Sequence, residues 1–130
     1  MKKRILITGG AGFIGINTAN YLLTKKYKVI LFDNLSRKGS EENLKWLKKT
    51  WGKQFAFIQG DVVTDRTRLN RAVADADAVI HLAAQVAVTT SVQDPHHDFL
   101  VNAQGTLHVL EAARMSLKKP LVIYASTNKV

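Results

Sequence analysis

Five short apolar runs alternating with helical stretches, a glycine-rich junction after the first run and an aspartate closing the second together predict an α/β fold. Runs that are apolar throughout, rather than at every second residue, belong to a parallel sheet covered by helices on both faces. The runs fall near residues 4–8, 28–33, 54–59, 77–82 and 120–125, and the helices near 13–25, 40–51, 65–74 and 96–115. Right-handed crossovers then favour a doubly wound sheet in the order 3-2-1-4-5, with its switch point between the first and fourth strands. A ligand is expected over the carboxyl ends of those two strands.

The first strand empties into Thr8-Gly9-Gly10-Ala11-Gly12-Phe13-Ile14-Gly15, which opens the first helix. A Cβ at Gly9 or Gly10 would obstruct the tight turn, one at Gly12 would keep a pyrophosphate from the amides at the helix start, and Gly15 lets helix and strand approach. Two registers fit, Gly10-x-Gly12-x-x-Gly15 and Gly9-x-x-Gly12-x-x-Gly15, and both put a diphosphate at the same place. The second strand ends at Asp33, 18 residues beyond Gly15, where a carboxylate can accept from both hydroxyls of an adenosine ribose. That carboxylate would repel a 2′-phosphate, which points to NAD rather than NADP. Arg37 and Lys38, the cations that can attract such a phosphate, lie on the following loop and are read as solvated.

The third strand ends at Gly60-Asp61-Val62. Asp61 can face an adenine amino group while Val62 packs on the ring, or it can serve with Asp65 as a helix cap. The fourth strand ends at His81-Leu82-Ala83-Ala84-Gln85, whose small residues leave room for a cofactor backbone and ribose at the switch point. His96 and His97 are adjacent and diverge by about a hundred degrees on a helix, with no accompanying carboxylate motif, so no metal site is expected.

A chain of 130 residues makes one domain, which buries about two-thirds of its unfolded surface. The apolar fraction of 46% with 22% charged residues is that of an ordinary globular protein. With no cysteine, disulfide frameworks and thiolate zinc sites are excluded. Met1-Lys2-Lys3-Arg4 precedes too short an apolar run for a signal peptide or a membrane span, so a cytoplasmic location without membrane contact is expected. The net charge of +9 raises a nucleic-acid reading, and Lys45, Lys48, Lys49 and Lys53 do cluster around Trp46 and Trp51. Leu44, Leu47 and Trp51, however, recur at helical spacing, as on a surface helix packed against a sheet, and no nucleic-acid motif accompanies the lysines. No nucleic-acid partner is expected.

Taken together, these segments resemble the amino-terminal part of the extended short-chain dehydrogenase/reductases, the NAD-dependent nucleotide-sugar epimerases and dehydratases. The resemblance runs through all 130 residues. It implies a Rossmann-type NAD-binding domain and selects Gly9, Gly12 and Gly15 as the glycine register, with Phe13 and Ile14 beside the cofactor. By the same resemblance, Asp33 and Asn34 hold the ribose, Asp61 and Val62 the adenine, and Leu82, Ala83, Ala84 and Gln85 line the cofactor. Asn102, three residues before Gly105-Thr106, resembles the family's asparagine behind the cofactor. Thr127 matches the catalytic serine or threonine that hydrogen-bonds the reacting sugar oxygen, and Ala125 and Ser126 line the nicotinamide side.

Gln85 and Asn128-Lys129 carry a finer resemblance, to a branch of 2-epimerases that act on CDP-linked deoxysugars. A related 4,6-dehydratase would have an acid directly after the catalytic threonine, where this chain has Asn128, and an amide does not supply the proton for water loss. The family's base is a tyrosine with a lysine four residues later, placed beyond the fifth strand and its following helix. The one Tyr-x-x-x-Lys here is Tyr21 to Lys25, in the first helix and pointing away from the ligand edge. These residues are therefore expected to bind cofactor but not to turn over substrate alone, the substrate-binding domain being absent. The alternative from another class is a non-catalytic NAD-binding module. The resemblance further implies a homodimer for the complete protein, through the helix at 96–115, and an edge on the fifth strand prone to self-pairing.

Overall fold

The computed structural model describes residues 2–127. Its strands are β1 (Arg4–Thr8), β2 (Lys28–Asp33), β3 (Phe55–Gln59), β4 (Ala78–His81) and β5 (Leu121–Tyr124). All pair in parallel in the expected order β3-β2-β1-β4-β5. The register sets Thr8 beside Phe32 and His81, Asp33 beside Gln59, and His81 beside Tyr124, so the carboxyl ends line up along one edge.

Because successive side chains leave a strand on opposite faces, the sheet builds two cores. Leu6, Ile30, Phe32 and Val79 pack with Leu69 and Val73 of α3 (Arg66–Ala74) and Val109 of α6 (Gly105–Met115). Ile5, Ile7, Val29 and Leu31 pack on the other face with Ile16, Ala19 and Leu23 of α1 (Phe13–Thr24) and Leu44 and Leu47 of α2 (Ser40–Trp51). Covering on both faces is why the central strands carry no polar alternation.

Helix α2 carries Glu41 and Glu42 in its first turn and Lys48 and Lys49 in its last, each sign placed to complement the helix dipole. Trp51 at its end donates from Nε1 to Asn20 Oδ1 of α1 at 2.8 Å. The lysine-rich stretch is thus a sheet-covering helix with its cations outward.

Between β4 and β5 the helix expected over 96–115 is present as one continuous run, α5 (Pro95–Phe99), a π-helical turn (Leu100–Gln104) and α6, and a helix that was not expected, α4 (Val88–Gln93), precedes it across a break. Pro95 explains the break, because its ring drives the preceding residue out of helical geometry. Asp94 then caps the new helix, accepting from the His97 amide at 3.0 Å. Helix α4, rich in β-branched residues of low helix propensity, gives no helical periodicity to read. At the sheet edge, Leu121, Ile123 and Tyr124 of β5 are exposed. Among the described residues no helix is long and apolar enough to cross a membrane.

Neighbouring residues on α2 test its orientation. Leu47 is fully buried and Trp46 is 46% exposed. Leu47→Ala should cost about 2–5 kcal/mol in urea denaturation, whereas Trp46→Ala should cost less than about 1 kcal/mol.

Candidate functional site at the carboxyl edge of the sheet

The glycine turn is held at the switch point by backbone and side chain together. Gly9 adopts φ +65°, and a Cβ there would come within 2.8 Å of the Ala83 amide nitrogen, so this turn passes too close to the end of β4 for a larger residue. A Cβ on Gly15 would likewise collide with the Gly9 carbonyl and the Gly10 backbone. At Gly12 the added Cβ would meet only the Gly9 carbonyl, at 3.3 Å, and otherwise faces open space. The turn is therefore closed on the protein side and open toward the crevice.

The start of α1 has neither a side-chain cap nor an acidic residue in its first turn. The first amides of a helix lack intrahelical acceptors and carry the positive end of its dipole. Phe13 and Ile14, on this first turn, are 80% and 65% exposed, which marks the same open edge.

Asp33 stands beside this turn. Its Oδ2 accepts from the Ala11 amide at 3.0 Å and its Oδ1 from the Leu35 amide at 2.8 Å. A carboxylate has about four acceptor positions, so capacity for ribose hydroxyls remains. The Ala11 carbonyl is in turn held by Asn43 Nδ2 of α2 at 2.9 Å, a contact that nothing in the local sequence announces. Arg37 is exposed, as read, with Nη2 3.5 Å from the Ala84 carbonyl.

At the end of β3, Asn34 Nδ2 donates to Asp61 Oδ2 at 3.0 Å, and Asp61 Oδ1 accepts from the Val63 amide at 2.7 Å. Asp65 takes the Asp61 amide at 2.8 Å, so the Asp61 side chain closes its own turn rather than capping α3. Val62 is buried in the core, with its methyl against Gly105 and its carbonyl accepting from His108 Nδ1 at 2.8 Å. Its side chain is therefore committed to α6, away from the open crevice.

The fourth-strand loop is tied down by a buried network. Thr8 Oγ1 lies 2.6 Å from His81 Nδ1, and also 3.2 and 3.3 Å from the Leu82 and Ala83 amides. His81 Nε2 lies 2.9 Å from Thr106 Oγ1, which donates to the Asn102 carbonyl at 2.6 Å. Asn102 stands on the π-helical turn and clamps the Gln85 peptide from both sides, accepting its N–H at 2.8 Å and donating to its carbonyl at 3.2 Å. A π turn inside a helix commonly marks a functional position. Burial lowers the His81 pKa to about 4, so the ring is neutral at physiological pH.

Ala125, Ser126 and Thr127 follow β5 at the same edge and are exposed, the Ala125 amide donating to the His81 carbonyl at 3.4 Å. Asn128 and Lys129 lie outside the described residues. Tyr21 and Lys25 lie at the opposite end of the sheet, the ammonium 5.5 Å from the ring centroid, in a concavity shared with Lys2, Lys3 and Tyr27. Among the described residues no three His, Cys, Asp or Glu side chains gather as metal ligands.

Burial of neutral His81 makes stability pH-dependent. Its pKa is lowered from 6.5 to about 4 on folding, so between those values the unfolded chain takes up a proton that the folded chain refuses. Stability is complete above pH ~6.5 and falls by about 3 kcal/mol as pH drops through the folded value, because each pH step of one between the two values is worth about 1.4 kcal/mol. Urea denaturation at pH 7 and pH 4.5 should show this slope, and His81→Gln should flatten it.

Residues 6–130 match the family model described as GDP-mannose 4,6 dehydratase. A CDP-paratose 2-epimerase of Salmonella typhi is 46% identical over 129 residues, spanning 98% of this chain and 37% of that protein. The crystal structure of a UDP-glucose 4-epimerase from Brucella ovis in complex with NAD superposes with a TM-score of 0.80 at 35% identity, over 95% of this chain and 35% of that one. The UDP-glucose 4-epimerase of Thermus thermophilus, also in complex with NAD, superposes at 0.73 with 40% identity, over 85% of this chain and 33% of that one. The chain thus spans little more than a third of the length of these relatives. With the match running from the first strand through the whole sheet, the chain belongs to the GDP-mannose 4,6 dehydratase family of extended short-chain dehydrogenase/reductases.

Proposed function

We propose that the crevice over β1 and β4 binds NAD and that these residues form the cofactor-binding part of a nucleotide-sugar epimerase. The observation that carries this reading is the uncapped amino end of α1, open at Gly12 and flanked by Asp33 at the end of β2. Amides and dipole suit a pyrophosphate, and the carboxylate suits an unphosphorylated ribose. The solved epimerases that hold NAD on this fold support it.

In this reading Gly9, Gly12, Phe13, Ile14 and Gly15 surround the pyrophosphate, Asp33 and Asn34 the ribose, and Asp61 with the Val62 backbone the adenine. Leu82, Ala83, Ala84 and Gln85, backed by Asn102, line the rest of the cofactor, with Ala125 and Ser126 beside the nicotinamide. When bound, NAD supplies a reversible acceptor for hydrogen on a sugar carbon, so that the ketone can turn and be reduced on its other face. Thr127 would hydrogen-bond the reacting oxygen and so orient it.

For the whole protein we propose 2-epimerisation of a CDP-linked deoxysugar such as CDP-paratose, on the strength of the 46% identity to an enzyme of that name. A homodimer would use the outer face of α5 and α6, where Phe99, Leu107 and Leu110 are exposed. A 4,6-dehydratase reading is weakened by Asn128, an amide directly after Thr127. Turnover of UDP-glucose but not CDP-paratose by the whole protein would refute the substrate assignment. NADH binding without turnover of either would favour a non-catalytic module.

The cofactor reading is tested by NADH fluorescence titration of this chain. Wild type should bind NADH at least tenfold more tightly than NADPH. Asp33→Asn should weaken NADH by roughly 10–100-fold, the worth of hydrogen bonds to a charged acceptor. Gly12→Val should abolish binding with a smaller fall in the urea midpoint than Gly15→Val, because an added Cβ at Gly12 meets one atom, the Gly9 carbonyl oxygen at 3.3 Å, whereas at Gly15 it collides with the backbone of both Gly9 and Gly10. A wild-type chain that fails to bind NADH would overturn the proposal.

A further inference from the structure

We infer that His81 is a positioning residue for the cofactor loop: as a neutral ring protonated on Nε2, it ties Leu82–Gln85 to β1 on one side and to α6 on the other. This rests on the dinucleotide reading above and deepens it.

A count of protons fixes the tautomer. Thr106 has one hydroxyl proton, and it is donated to the Asn102 carbonyl at 2.6 Å. Toward His81 at 2.9 Å, Thr106 Oγ1 can then only accept, so Nε2 carries the ring proton. The neutral ring presents a lone pair at Nδ1, and Thr8 donates its own hydroxyl proton there at 2.6 Å. The two remaining lone pairs of Thr8 Oγ1 face the amides of Leu82 and Ala83 at 3.2 and 3.3 Å. Each donor in the network has an acceptor, and each lone pair of Thr8 is used.

A second ring proton, on Nδ1, breaks that balance. Thr8 Oγ1 would face three donors with two lone pairs while its own proton lost its acceptor. The Leu82 amide also donates to the Thr8 carbonyl at 3.1 Å and stays held, so protonation frees the loop at Ala83, whose amide has the longest contact of the network at 3.3 Å. The other arm runs through Thr106 to Asn102 and on to both polar groups of the Gln85 peptide. One ring thus holds the loop near both ends.

The groups packed around the ring leave it without a counter-charge. Thr8 comes from β1 and Thr106 from α6, and the Tyr124 phenol of β5 stacks on it at 6.3 Å between centroids. Asp98 stands one step behind, accepting from Ser91 Oγ at 2.7 Å and from Asn102 Nδ2 at 3.1 Å. Burial alone keeps the ring neutral.

The test uses the 130-residue chain with 15N-labelled histidine. Long-range proton–nitrogen NMR at pH 7 should show the His81 proton on Nε2, and a proton on Nδ1 would overturn the inference. His81→Leu and Thr106→Val should each weaken NADH binding fivefold or more and speed hydrogen exchange at the Ala83 amide. His81→Gln, whose amide can donate to Thr106, should recover most of that loss. Losses below fivefold in both His81→Leu and Thr106→Val would overturn the positioning role. If His81→Leu fails to fold, Thr106→Val and the tautomer decide. A wild type that binds no NADH refutes the dinucleotide reading, whereas the tautomer and amide exchange, which need no cofactor, still decide whether His81 locks the loop.

Discussion

Asp33 holds the Ala11 amide with one oxygen and the Leu35 amide with the other, and the shape of the crevice follows from that carboxylate. The glycine turn has little side-chain mass to pack, so its conformation depends on hydrogen bonds from outside itself. Asp33 supplies one, and Asn43, reaching in from α2, supplies the opposing one at the Ala11 carbonyl. With the Ala11 peptide fixed from both ends, the first amides of α1 are aimed at the crevice before any ligand arrives. Preorganisation of this kind removes part of the ordering cost of binding.

The same logic recurs at the fourth strand with a buried polar network in place of a carboxylate. Burying Thr8 and His81 is costly unless every polar atom finds a partner, and among the described residues no buried side-chain polar atom lacks one. A fully satisfied network specifies one arrangement, since any slip of β4 against β1 would orphan the ring nitrogens. An apolar pair at these positions would bury as well but would not define where Leu82 and Ala83 sit. The two anchors therefore do different work: Asp33 shapes the glycine turn before α1, and His81 the side facing β4 and β5.

Much of this was legible in the sequence because its signals are local. The strand–glycine–helix junction and the aspartate at the end of β2 are each contained in a few residues, and the strand order followed from right-handed crossovers. The polar anchors were not legible, because their partners are far away in the chain. Thr8 and His81 are 73 residues apart, and Asn43 is 32 from Ala11. No periodicity reports such pairs. The π turn was hidden for another reason, since one extra residue in a helical turn leaves the pattern on either side intact. Asp61 shows a third case: its sequence suited two roles, and its side chain closes its own turn against Val63 and Asn34.

The net charge of +9 is carried largely by lysines whose stems lie on the protein. Lys45, Lys48 and Lys49 share α2, and others stand elsewhere on the fold. Lys48 covers the Phe57 ring, Lys118 faces Asp77, and Lys2, Lys3 and Lys25 stand with two tyrosines at the end of the sheet away from the crevice. Such side chains cover apolar surface with their stems and leave the ammonium in water. Their summed field still acts at a distance, raising the concentration of anions near the protein even where no lysine touches the ligand. In the cofactor reading proposed above, such cations would draw in an anionic dinucleotide, while the contacts that discriminate are left to backbone amides and one carboxylate.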